Sequence, residues 1–408
     1  MDLYDTVVVG AGMAGLTAAC CAARKGERTL LLEKADRPGK KILASGNGRC
    51  NLMNRGPLRY YGDPAFARSV MGCDYLDRLT EFWHDLGVVF RYDAEGRGYP
   101  ATFQSSTVLE ALVAESSRAG VLLRTGSGVL DYTPSSSYGF NLRTDNAAAI
   151  CCRRLILASG GLPQSKLGGN DWAWAGLNAL GHRMIPARPA LVSLKADRRA
   201  ISGLAGIRVR CSIRLCRSGE EVFREKGEVL FTEDGLSGIC AMQCARFLEG
   251  GSGEVFLDLA EDLFPDQNTL LEELRIRQHR FSSESPAELL RGICLPRMAF
   301  AVCKQAGFRM RGETNGMLRE EQLEQLAARL RAYCVPITGT DGFERAQVMA
   351  GGLDCGQIRP DNLESRLIPG LHAAGELLNV DGDCGGYNLM FACMCGIRSG
   401  NNERGEPD

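Results

Sequence analysis

Asp5-Thr-Val-Val-Val-Gly10-Ala-Gly12-Met-Ala-Gly15 opens the chain, and Leu30-Leu31-Leu32-Glu33 completes the unit that it begins. The first run reads as a buried strand, a glycine turn and the start of a small-residue helix; the second reads as the next strand, ending in an acid. Each part has its own task in holding a dinucleotide. Gly10 permits the tight turn out of the strand, and Gly12 has no side chain to keep a pyrophosphate from the backbone. Gly15 lets the helix pack closely on the sheet, while the helix N-terminus offers N–H groups and positive dipole character to phosphate. Glu33 follows where a carboxylate can accept hydrogen bonds from a ribose hydroxyl. At this point NAD and FAD are equal readings, and a βαβ unit that binds nothing is the bland alternative.

Around this unit the composition sets bounds. A chain of 408 residues is long for one hydrophobic core, so two or three domains are expected. Forty-eight basic and forty-nine acidic residues leave a net charge of −1, which gives no reason to expect a nucleic-acid or anionic-membrane partner. Thr6 to Ala23 carries no charge, but Gly10, Gly12 and Gly15 interrupt it and Arg24 follows, so a strand and a helix are expected there, not a membrane span. The first strand starts close to Met1, leaving no room for a signal peptide, and a cytoplasmic protein is expected. There are 17 cysteines, none in a C-x-x-C pair, and four histidines, a poor supply for a metal centre. No metal site is expected, and the cysteines read as free thiols, mostly small core residues.

The expected fold class is α/β: a Rossmann-like domain built from both chain ends, with an inserted β domain and helical subdomain. Residues 1–189 form its N-terminal part, with Leu155-Ile-Leu-Ala-Ser-Gly160-Gly161 as a second buried strand ending in a glycine turn. Residues 190–262 read as β-rich, with Ile207–Ile213 and Glu228–Thr232 as antiparallel runs. Residues 263–345 read as helical, where Leu323, Leu326, Leu330 and Tyr333 fall at spacings of three and four. Residues 346–408 return to the first domain through a short strand, an acidic turn and a helix opened by Gly385-Gly386.

Only one G-x-G-x-x-G occurs, so the fold holds one dinucleotide and a second one has to visit a cleft. Gly39-Lys40-Lys41-Ile-Leu-Ala-Ser45-Gly46-Asn47-Gly48-Arg49-Cys50-Asn51 places cations around small hydrogen-bonding residues, a loop able to cross a pyrophosphate and meet a polar ring edge. Gly385-Gly386-Tyr387-Asn388 opens an apolar helix whose N-terminus suits the pyrimidine end of a reduced flavin.

These segments, with the fingerprint, resemble the aminoacetone oxidase/BaiN-like family of FAD-dependent oxidoreductases. The matching pieces are Gly39–Asn54, Gly96–Pro100, Leu230–Thr232 with Gly235–Gly238, Leu363–Leu371, Gly375-Glu376 and Gly385–Leu389, in order along nearly the whole chain. The resemblance implies bound FAD. Glu33 would lie on the ribose and Gly10, Gly12, Met13, Ala14 and Gly15 on the pyrophosphate, with Lys34 and Val129 as further cofactor-binding residues. Ser45, Gly46, Gly48, Arg49, Cys50 and Asn51, with Gly385, Gly386, Tyr387, Asn388 and Leu389, would lie near the ring. Glu376 would lie at the ribityl or pyrophosphate region or a nearby backbone, and Lys41, Ser159, Gly160 and Gly375 would be further cofactor-binding residues. The chain departs from the family pattern at Met53, at Leu167-Gly-Gly-Asn-Asp-Trp-Ala and at His372, and the last two departures could shape a different substrate pocket.

The resemblance also sets the activity expected. It implies NADH- or NADPH-driven reduction of an activated C=C bond in a steroid-like enone, such as a 3-oxo-Δ4 or Δ6 bile-acid intermediate. The alternatives are oxidation of a small amino ketone by O2 and a non-catalytic flavoprotein that binds a macromolecular partner. Tyr387 and His372 are the candidate proton donors, since a flavin carries out the electron transfer and leaves the protein orientation and one proton. A small-molecule substrate is expected; the oligomeric state is not legible.

Overall fold

A computed structural model describes residues 2–146, 149–308 and 314–402. The chain divides into two compact units, one formed by Met1–Arg188 with Gln347–Asp408 and the other by Pro189–Ala346.

The first unit is organised by a seven-stranded sheet. Its strands run in the order Leu122–Arg124, Thr29–Leu32, Asp2–Val9, Ala149–Leu157, Gly139–Thr144 and Val129–Ser135. Leu371–Ala373 pairs parallel to the last residues of Ala149–Leu157, beside the antiparallel Gly139–Thr144. The parallel strands are nearly continuous apolar runs because helices cover both faces of such a sheet: Val7, Val8, Leu30, Leu31, Leu155 and Ile156 are wholly buried. The charge-free stretch is the expected strand and helix, Asp2–Val9 followed by Met13–Arg24.

The C-terminal segment completes this unit with the helix Tyr387–Asn401, which lies against Met13–Arg24. Small residues let the two backbones approach. A Cβ on Gly396 would stand 2.6 Å from the Ala14 carbonyl oxygen, and one on Gly400 would stand 2.5 Å from that of Ala18.

In the second unit the expected antiparallel strands form a closed barrel of Leu194–Ala196, Gly235–Ser237, Glu220–Phe231, Arg208–Arg217, Gly253–Asp258 and Tyr333–Thr340. The helices Gln267–Arg280, Pro296–Gln305 and Glu320–Arg331 precede the last strand. Tyr333 corrects the helical reading of 263–345. Leu323, Leu326 and Leu330 do form the buried stripe of a helix, but that helix stops at Arg331 and Tyr333 opens a barrel strand. Pro336 cannot continue a helix, and Val335, Ile337 and Thr338 favour extended chain. Tyr333 is still buried, so it is a core position that a strand and not a helical turn supplies.

Candidate dinucleotide site

The glycine turn shows three different demands on three glycines. Gly10 adopts φ +101°, and a Cβ there would meet the Ala158 carbonyl oxygen at 2.5 Å. At Gly15 a Cβ would fall 1.8 Å from the Gly10 carbonyl oxygen, so helix and turn touch backbone to backbone. A Cβ on Gly12 would meet nothing within 4 Å. That space lies at the N-terminus of Met13–Arg24, where no side chain caps the N–H groups. An open, N–H-lined space at a helix start suits phosphate oxygens.

Glu33 ends the second strand and is held by the backbone around it. One carboxylate oxygen accepts the Ala11 N–H and the other the Ala35 N–H, each at 2.8 Å. Each oxygen keeps a further lone pair, which is what two ribose hydroxyls require. Gly10, Gly12, Glu33, Lys34, Lys41, Val129, Ser159 and Gly160 line one cleft of about 250 Å³. The buried Ser159 hydroxyl has no hydrogen-bond partner, and it lies on the glycine turn that faces Gly10. Such an orphan in a cleft of this composition fits a polar ligand. The residues therefore fit the ADP half of FAD, which when bound supplies a reversible two-electron store.

The remaining candidates fall into a second group joined to the first. Lys41 donates to a Glu376 carboxylate oxygen at 2.9 Å, and the other oxygen accepts the Met349 N–H at 3.3 Å. Gly160 lies beside this pair. The segment Ser45–Asn51 coils back on itself through left-handed residues, Gly46, Asn47, Gly48 and Cys50. The Cys50 N–H meets the Ser45 carbonyl at 3.1 Å, and burial pushes the Cys50 thiol up to about 11. Arg49 is exposed on this segment. The Asn51 amide, oriented to donate, reaches the carbonyls of Met53 (3.1 Å) and Gly98 (3.2 Å). Gly386 closes against Asn51: a Cβ there would stand 2.6 Å from the Asn51 amide and from the Met53 carbonyl oxygen. Gly385 is bound through its carbonyl to the Asn54 amide at 2.7 Å, and Gly375 approaches Ala14. Met13, Ala14 and Gly15 are buried along the fingerprint helix.

Three of the expected residues are held by contacts within the fold. The Asn388 side chain accepts from the Gly382 N–H and donates to its carbonyl, at 2.8 and 2.9 Å, and so pins the helix start to the preceding strand. Tyr387 is buried, packs edge-on against Tyr60 at 6.0 Å and has its phenol raised by burial; Leu389 beside it is half-buried. His372 sits within the strand Leu371–Ala373 at 1% exposure, with Nδ1 2.9 Å from the Asn362 carbonyl oxygen, and does not line the cleft. The two candidate proton donors are thus packed into the fold.

The cleft also contains residues outside the sequence-based set: Arg37, Lys40, Ser127, Gly128, Asn170 and Trp172. The first two belong to the basic run after Glu33, and Gly126-Ser-Gly128 ahead of Val129 is itself a turn signal. Asn170 and Trp172 belong to the divergent segment 167–173, which was expected to shape a substrate pocket. The structure brings it to the cleft of Glu33 and Val129, with the Trp172 indole donating to the Leu130 carbonyl at 2.9 Å.

The fold is that of a Rossmann-type α/β protein whose cleft gathers the fingerprint glycines Gly10 and Gly12 with Glu33. The chain belongs to the HI0933-like protein Rossmann domain family, which it matches over residues 4–402. It is 33% identical over 401 residues to the 3-dehydro-bile acid delta(4,6)-reductase of Clostridium scindens, a match covering 96% of this chain and 97% of that protein. It is 30% identical over 407 residues to the ribosomal RNA dihydrouridine synthase of Escherichia coli, covering 96% of each. Among solved structures it resembles the 3-ketosteroid-delta4-(5alpha)-dehydrogenase of Rhodococcus jostii, with a TM-score of 0.52, 16% identity and coverage of 98% and 96% of the two chains. At that identity the likeness is one of fold.

Proposed function

We propose that this protein is an FAD-dependent oxidoreductase that reduces an activated C=C bond, in a steroid-like enone such as a 3-oxo-Δ4 or Δ6 bile-acid intermediate. The observation that carries the reading is the full-length relationship, at 33% identity, to a protein named as a bile-acid delta(4,6)-reductase. The cleft supports it, because Gly12, Glu33 and Ser159 fit the anchoring half of FAD. A single fingerprint leaves NADH or NADPH to act as a visiting donor, and the proposal places the reaction in the cytoplasm, where such donors are at hand. Among the described residues no helix is long and apolar enough to cross a membrane.

In the reduction the enone β-carbon gains a hydride, which accounts for the two electrons and one proton that the donor loses, and the α-carbon gains a second proton that comes from solvent. The test is anaerobic stopped-flow on FAD-loaded protein. NADH or NADPH should bleach the flavin, and a 3-oxo-Δ4 steroid should restore it. A flavin that aminoacetone reduces and O2 reoxidises with release of peroxide, in an enzyme whose reduced form ignores the enone, turns the assignment to an amine oxidase.

A second reading rests on the relative named as a ribosomal RNA dihydrouridine synthase. The uracil 5,6 double bond is conjugated to a carbonyl and is the same functional group in electronic terms. Charge favours the small molecule: along the strand Arg208–Arg217, Arg208 faces Glu228, Arg210 faces Asp262, Arg214 faces Glu221 and Arg217 faces Glu249. Those cations are neutralised within the protein and are poorly placed to gather phosphates. Reoxidation by unmodified ribosomal RNA and not by the steroid would select the second reading.

A further inference from the structure

A small three-stranded sheet of Met53–Asn54, Arg97–Pro100 and Phe90–Tyr92 lies beside the glycines that open the closing helix. Side chains alternate across it. Gly98 and Pro100 turn inward and are buried, while Arg97 and Tyr99 share the outer face, with Arg91 directly opposite Tyr99 on the neighbouring strand. On that face the Arg97 side chain reaches within 3.5 Å of where a Cβ on Gly385 would be. Arg97 is already neutralised, by Asp93 at 2.7 Å and Glu95 at 2.8 Å. Arg91 is exposed and makes no ion pair among the described residues.

Beside this cation lies an aromatic pair. The Tyr99 and Phe103 rings are 5.7 Å apart and inclined by 41°, and Phe103 is 40% exposed. Phe103 is held out at φ +52°, in the left-handed region that an aromatic residue rarely adopts. Strain of this kind persists where the surroundings over-determine it, often at binding sites. Burial raises the Tyr99 phenol above its usual range, so it stays a hydrogen-bond donor at neutral pH.

We propose that this face is the shelf for the substrate: a flat apolar ring system lies on Tyr99 and Phe103, and its anionic side chain meets Arg91. The proposal deepens the enone-reductase reading and rests on it for the identity of the ligand. A steroid carboxylate has both features, a rigid ring plane and one negative charge at its end.

The test is calorimetric titration of FAD-loaded protein with cholate and with the alcohol that carries the same rings but no charge. The carboxylate should bind the more tightly. Arg91→Gln should weaken cholate about fivefold, an exposed ion pair's worth, and move the alcohol by less than twofold. Phe103→Ala should weaken both about tenfold, and Phe103→Leu, which keeps apolar bulk, should recover part of the loss if the alanine variant folds poorly. Equal binding by wild type and Arg91→Gln, or no binding by wild type, overturns the shelf. Binding as expected without reoxidation of the reduced flavin by an enone keeps the shelf and removes the reductase reading.

Discussion

Gly12 and Gly15 stand three residues apart, yet alanine should act on them in opposite ways. At Gly12, φ is −86° and a Cβ enters open space, so Gly12→Ala should leave apo-protein stability within about 0.5 kcal/mol of wild type. Its methyl would occupy the proposed phosphate position, and FAD affinity should fall about tenfold or more, roughly 1.4 kcal/mol, by equilibrium dialysis. Gly15→Ala drives a Cβ into the Gly10 carbonyl, and the chain should lose about 2–3 kcal/mol or fail to fold. Equal effects on melting temperature at the two positions would contradict this division. Glu33→Gln removes the charge but keeps the shape, and FAD retention through purification should drop about tenfold, as for a hydrogen bond to a charged group. The spacing of these residues was legible because each answers to a local demand. The burial of His372 was not, since it follows from the pairing of its strand with Ile156, far along the chain, and the capping by Asn388 depends on how the turn from Gly382 folds back onto the helix start.

Among the elements, the pairing of the first and last helices is what joins the chain ends. Gly396→Ala or Gly400→Ala would press a methyl into a backbone carbonyl of the fingerprint helix, costing about 1–3 kcal/mol in urea unfolding. The same contact is reinforced by Arg154, whose guanidinium donates to the Ser399 carbonyl at 2.8 Å and bridges to Glu27 at 2.7 Å. A second tether follows the helix Trp172–Ala179. His182 is buried, with Nε2 2.7 Å from the Ser365 hydroxyl, and burial lowers its pKa below 6.5. The unfolded chain therefore binds a proton more readily than the folded one, so this stabilisation is present above pH 6.5 and is lost as the pH falls through the folded value. His182→Gln should flatten that part of the acid limb of the stability curve. An unchanged slope below pH 6.5 would remove His182 as its cause.

Over the whole molecule, the thiols offer a test of the packing. No disulfide joins any of the 17 cysteines; one, Cys73, is exposed, and only Cys294, Cys334 and Cys384 are half-buried. Burial holds several of the others near 11 to 12, which suppresses the reactive thiolate. A thiol reagent at pH 8 should count one fast group in the native protein and seventeen after guanidinium. More than four fast groups would mean that the cores open readily. Saturating FAD, at a hundred times its Kd, should add about 2.7 kcal/mol to the unit that contains the cleft. Hydrogen exchange should show that protection in Met1–Arg188 with Gln347–Asp408.

By itself the sequence determined the α/β class, the glycine-turn grammar of the first unit and the antiparallel character of the insertion. Those rest on periodicity and on backbone angles, which neighbouring residues dictate. Tertiary structure alone decided that the antiparallel strands close into a barrel, that Tyr333 supplies a strand and not a helical turn, and that Leu167–Trp172 lines the cleft of Glu33. Closure, register and burial are set by contacts between residues distant in the chain, and no local window contains them.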